Sequence, residues 1–149
     1  MSQISTGLSP RVLPALLSVR LISADIQRLV SFYASLTGIE PIWYTEDFAE
    51  LRSGVATLAI GSTRTLAFFG EHHGIESGQN RSAIIEFKVE NVDALWEAHR
   101  DWLEESVLQA PTTMPWGNRS LLLRDPEGHC VNLFTPLSPE ARQRAGEAS

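Results

Sequence analysis

The alternation of apolar and polar residues divides the chain into short elements of two periods. Over residues 16–22 the period is two. Leu17, Val19 and Leu21 make one face of a strand, and Ser18, Arg20 and Ile22 make the other. At Asp25 the period changes. Its carboxylate suits a helix cap, and Ile26, Leu29, Val30, Tyr33 and Leu36 follow at helical spacing until Gly38, a residue suited to a left-handed stop. Residues 39–45 read as a second strand carrying Trp43 and Tyr44. Residues 48–60 read as one long strand bent near Ser53 and Gly54, and Gly61 and Ser62 turn it into a last strand over residues 64–69. The stretch 71–81, with two glycines and little apolar content, reads as a linker.

The same order then returns. Residues 83–89 alternate, with Ala83, Ile85, Phe87 and Val89 on one side and Ile84, Glu86 and Lys88 on the other. Asn91 caps a second amphipathic stripe of Val92, Leu95, Trp96, His99 and Leu103. Residues 107–112 are strand-like. A hairpin follows, with strands at 120–124 and 130–134 around the turn Asp125-Pro126-Glu127-Gly128. Pro126 presets φ in that turn, and Gly128 tolerates left-handed geometry. Pro139 opens a short tail helix within residues 138–149 with little apolar surface, which should fray. Ser18 matches Ile84, 66 positions on, and Ala67 matches Asn132, 65 positions on. Two copies in nearly constant register indicate an internal duplication. The expected fold is α+β, a single domain over 1–149. Its two tandem βαβββ modules, about 14–70 and 82–137, form curved mixed sheets around a cavity.

Bulk properties narrow the function. A chain of 149 residues with 43% apolar and 20% charged residues fits one soluble domain. A net charge of −6 without a basic block argues against nucleic acid as a partner. The apolar run at 13–21 is too short to cross a membrane and contains Arg20. The single Cys130 excludes an intramolecular disulfide and fits a reducing cytoplasm. There is no Gly-rich phosphate loop, no nucleophile elbow and no zinc-spaced pair.

The duplicated pattern, with FYASLTGIEP in the first half and RDPEGHCVNLF in the second, resembles the vicinal oxygen chelate superfamily. That superfamily holds glyoxalase I, extradiol dioxygenases and bleomycin-resistance proteins. The resemblance covers about residues 14–137. It implies a His, Gln or Glu metal ligand on the first and last strand of each half in metal-dependent members. Those places hold Ser18, Ala67, Ile84 and Asn132 here, a set without imidazole, thiolate or carboxylate donors. The resemblance therefore implies the members that work without a metal or other cofactor. These bind an antibiotic or another small organic ligand, in a cavity that bleomycin-type relatives form between subunits of a homodimer.

Several side chains are candidates for that work, each with a plainer reading. Trp116, in the corner PWGNR, either stacks on a planar ligand or packs on the hairpin. Trp43 and Phe48 lie near the expected cavity rim, or pack within the sheet. Phe69, in register with Ala67, would face the cavity or fill it. Arg20, Glu86 and Lys88 aim charges at the concave faces. Arg20 anchors a ligand or pairs with Glu86. Arg119 and Asn118 bind a ligand or close the corner. Asn132 offers both a donor and an acceptor. Glu86 is a general base only if the protein is a lyase, isomerase or dioxygenase of the superfamily. Adjacent His72 and His73 on the linker do not read as a metal pair, His99 reads as structural, and Cys130 as an inert thiol.

Overall fold

The computed structural model describes residues 12–147. The first half runs β1 Ser18–Ser23, α1 Ile26–Thr37, β2 Ile42–Thr45, β3 Phe48–Arg52 and β4 Thr57–Ser62, then a 3-10 helix, Thr63–Phe69. The second runs β5 Ile84–Lys88, α2 Val92–Leu103, β6 Val107–Thr113, β7 Asn118–Arg124, β8 Cys130–Pro136 and α3 Pro139–Arg144. Local chemistry sets the helix ends. The Arg28 N–H donates to Asp25 Oδ1 at 3.3 Å, Gly38 ends α1 at φ 75°, and the Ala94 N–H donates to Asn91 Oδ1 at 3.0 Å.

Strand order repeats as well: β1-β4-β3-β2 in one sheet and β5-β8-β7-β6 in the other. In each, the first and last strands are parallel and the rest antiparallel. This is the α+β duplication the pattern implied. The two sheets remain separate and do not close on one another. One apolar core draws on both halves, with Leu29, Tyr33 and Leu36 of α1 joined by Ile60, Leu121 and Leu133 of the sheets. Phe32 meets Trp102 edge-on at 5.7 Å, and Tyr33 lies 6.1 Å from Phe87, so α1 bridges to the second half. No helix among the described residues is long and apolar enough to cross a membrane.

Four expectations are corrected. Residues 48–60 form a hairpin, β3 paired antiparallel with β4, in place of one bent strand. The segment expected as the last strand of the first half is the 3-10 helix, because β4 already occupies the position beside β1. The register of the repeat also stretches. Ser18 stands opposite Thr57 as Ile84 stands opposite Cys130, so the last strands are offset by 73 positions and not 65. The cause is the longer second hairpin: β6 and β7 have seven residues each, against four in β2 and five in β3. Finally, α3 is docked by its buried Ala141, with Gly117 against Ser138, where the sequence suggested a fraying tail.

Candidate functional site

Alternation on each sheet sends one set of side chains into the core and leaves the other set on an open face. On the first sheet, cross-strand pairing aligns Arg20 with Ala59 and Ala59 with Glu50, and places Phe48 beside Gly61. Arg20 therefore shares the open face with Phe48 and Glu50. Its guanidinium carbon lies 5.3 Å from the Phe48 ring centroid and 5.5 Å from that of Phe69. Phe69 reaches this position from the end of the 3-10 helix. Beside it, Tyr44 donates to Glu50 Oε1 at 3.0 Å. Arg52 donates to the Tyr44 oxygen at 2.6 Å and to Glu50 Oε1 at 3.0 Å. The hydrogen bond to Glu50 pushes the Tyr44 phenol above its ordinary pKa. Asp47, which receives Arg64 and Ser62, is held below the usual carboxylate range.

The open face of the second sheet carries Ile84 opposite Cys130 and Glu86 opposite Asn132. Asn132 Nδ2 donates to Glu86 Oε2 at 2.9 Å, while Asn132 Oδ1 is buried with no hydrogen-bond partner among the described residues. Ser120 Oγ and Asn118 Oδ1, on the same face of β7, are also buried without one. Lys88 is engaged by Glu147 at 3.4 Å.

The structure thus brings together Arg20, Phe48 and Phe69 on one sheet, and Glu86 with Asn132 on the other. Arg20 does not pair with Glu86. Trp43 stands apart from Phe48. It pairs with the fully buried Ala49, so the strand pleat turns it toward the helix-covered face. Arg119 is also on the helix side, because it alternates with buried Leu121. Its fork grips Asp93 at the start of α2 through Nε–Oδ2 at 2.8 Å and Nη2–Oδ1 at 3.0 Å. Arg119 is a tie between strand and helix and does not reach the open face. Trp116 is exposed on the β6–β7 corner, where its carbonyl accepts from Arg144 of α3. His73 accepts from the Ile75 N–H within its own turn.

Sequence reasoning overlooked two clusters. One is Tyr44–Glu50–Arg52. The other is buried: Asp125 receives Tyr33, His129 and two backbone N–H groups of its own turn. A tyrosine within an apolar helical stripe was the available signal, since a buried hydroxyl needs a partner.

Residues 15–133 match the family model described as Glyoxalase/Bleomycin resistance protein/Dioxygenase superfamily. The chain belongs to this superfamily. Among relatives, YraH of Bacillus subtilis (strain 168), a protein named as uncharacterized, is 25% identical over 126 residues, covering 82% of this chain and 98% of its own. A glyoxalase/bleomycin resistance protein/dioxygenase from Nocardioides superimposes with a TM-score of 0.67 at 18% identity, covering 86% and 87% of the two chains. A lactoylglutathione lyase from Agrobacterium tumefaciens does so with a TM-score of 0.63 at 19% identity, covering 85% and 96%. These two structures are alike in fold.

The fold now allows the superfamily's metal to be tested against this chain's own donors. Ala67 drops out, because it lies on the 3-10 helix. The residue of β4 that corresponds to Asn132 is Ala59, opposite Arg20 as Asn132 is opposite Glu86. The four places are then Ser18, Ala59, Ile84 and Asn132. They offer one hydroxyl and one amide, which do not suit a divalent transition metal. Among the described residues, no three His, Cys, Asp or Glu side chains converge elsewhere.

Proposed function

We propose that this superfamily member binds a planar or amphipathic small organic molecule on its open sheet faces without using a metal, and holds it rather than converting it. Such a protein acts by lowering the free concentration of its ligand, as in sequestration or antibiotic resistance. The observation that carries this reading is the donor set Ser18, Ala59, Ile84 and Asn132, which leaves recognition to rings and hydrogen bonds. Exposed aromatic surface at Tyr44 and Phe69, and the orphaned Asn132 carbonyl, support it. The proposed working form is a homodimer in the reducing cytoplasm, where a lone Cys130 stays a thiol.

Elemental analysis of purified protein, after growth with and dialysis against zinc, nickel, iron and manganese, should find none in stoichiometric amount. A bound ligand should be recovered chemically unchanged. Stoichiometric metal, with binding lost on chelation, would overturn the reading.

A second reading is a lyase, isomerase or dioxygenase. The exposed Glu86 carboxylate, held by Asn132 on an open face, favours it by offering a base. In that case turnover appears and Glu86→Gln abolishes it.

A further inference from the structure

The guanidinium of Arg20 is prepared for a partner that the described residues do not supply. Its stem lies against β4 at Gly61, where an added Cβ would stand 3.4 Å from Arg20 Cδ and 2.9 Å from Thr65 Oγ1. Only glycine leaves that room without displacing a neighbour. The head lies over two phenyl rings from two different elements, Phe48 of β3 and Phe69 of the 3-10 helix. Neither ring offers the guanidinium a conventional hydrogen-bond acceptor, so its N–H donors are left without a hydrogen-bond partner among the described residues. Two acids of the neighbouring strand and turn, Glu50 and Asp47, already have partners. Glu50 receives Tyr44 and Arg52, and Asp47 receives Arg64 and Ser62. Arg20 forms no ion pair among the described residues, and of the arginines without one there it alone lies over aromatic rings.

A planar fork of donors held in place is the side chain best matched to a carboxylate, which it receives in two parallel hydrogen bonds. The ring surface around it, with Phe69 and Tyr44 each about half exposed at 52%, suits a flat apolar body attached to that carboxylate. We infer that the open face of the first sheet recognises an aromatic carboxylate, with Arg20 receiving the carboxylate and Phe48, Phe69 and Tyr44 receiving the ring. This rests on the reading of the open faces as a ligand site, and specifies the charge and shape of the ligand.

The test is equilibrium dialysis of the full chain against naphthoate, naphthamide and naphthylmethylamine, three probes alike in ring and unlike in charge. Naphthoate should bind about tenfold or more tightly than naphthamide, and naphthylmethylamine more weakly still. Arg20→Gln should erase the preference for naphthoate, and Arg20→Lys should restore part of it, since the charge returns without the fork. The comparison of the three probes on the unaltered chain decides the matter even if a variant fails to fold. Equal binding of naphthoate and naphthamide overturns the inference and leaves the ligand-site reading standing. A preference that survives Arg20→Gln in folded protein also overturns it. Failure to retain any of the three overturns both.

Discussion

The carboxylate of Asp125 receives four hydrogen bonds: from Tyr33 at 2.6 Å, His129 Nδ1 at 2.7 Å, and the backbone N–H groups of Glu127 at 2.9 Å and His129 at 3.0 Å. Tyr33 belongs to α1 and Asp125 to the β7–β8 turn, so this residue ties one half to the other. Ser23 of β1 reinforces the tie by donating to Glu127. The turn itself was readable from Pro126 and Gly128, which adopts φ 90°. Its partner was not, because Tyr33 satisfied the apolar stripe of α1 and hid its polar end. Burial pushes the Tyr33 phenol far up, keeping it a donor. For Asp125, burial raises the pKa, but the hydrogen bonds from His129 and Tyr33 outweigh it and hold the carboxyl below its usual range. A depressed folded pKa gives stability that is complete above the unfolded value of about 4 and is lost as pH falls through the folded one. Tyr33→Phe should therefore cost about 1.5–3 kcal/mol near neutrality, the worth of one hydrogen bond to a buried charge. The gap from the parent should narrow in acid, where Asp125 protonates. Urea unfolding at neutral and acid pH checks this, and a gap that stays constant would refute it.

At the level of elements, what was legible is what local chemistry dictates. Helices with a side-chain cap and an apolar stripe, α1 and α2, lie where the periodicity placed them. Extended segments were harder, because alternation identifies a strand but not its neighbour. The run Thr65-Leu66-Ala67-Phe68-Phe69 resembles Cys130–Phe134 closely enough to take its place on paper. In the chain, Ser62 stops β4 first. Its hydroxyl accepts from the Arg64 N–H at 3.2 Å and donates to Asp47 at 2.7 Å, starting the 3-10 helix that carries Phe69 to Arg20. The same pleat that strands set up misled at Trp43 and Arg119, where a one-residue difference in facing separates the open surface from the helix side. Ser62→Ala should lower stability by about 1 kcal/mol through the lost cap. It should also weaken the preference for naphthoate over naphthamide, because Phe69 is no longer held against the guanidinium. Thermal melting together with dialysis checks both effects. Loss of stability with the preference intact would separate the cap from the site.

Across the whole molecule, the duplication predicts where the edges fall. Each half places its first strand at the border of its sheet, so β1 and β5 both end in unpaired backbone. An open edge that is also apolar invites another strand. Leu16, Leu17 and Val19 on or just before β1 are 85%, 74% and 53% exposed, and Ile84 at the start of β5 is 56% exposed. Between these borders runs a groove of about 280 Å³, lined mainly by apolar side chains such as Val19, Leu51, Leu58, Ile85 and Phe87, with Ser53, Thr57 and Glu86 among them. A mainly apolar border of this kind favours a cover of the same kind, and a second copy supplies one by symmetry. The expected state is a dimer whose melting temperature rises with protein concentration, since association stabilises the folded form by mass action. Val19→Lys puts a strongly hydrated charge on the border strand. It should yield a monomer in sedimentation with the far-ultraviolet spectrum of the parent. If the open faces of two copies complete one site, naphthoate affinity should fall with the same substitution, although Val19 lies on the opposite side of β1 from Arg20. A parent chain that sediments as a monomer at micromolar concentration, with a melting temperature independent of concentration, would exclude the dimer. Binding that persists undiminished in the Val19→Lys monomer would place the whole site within one chain.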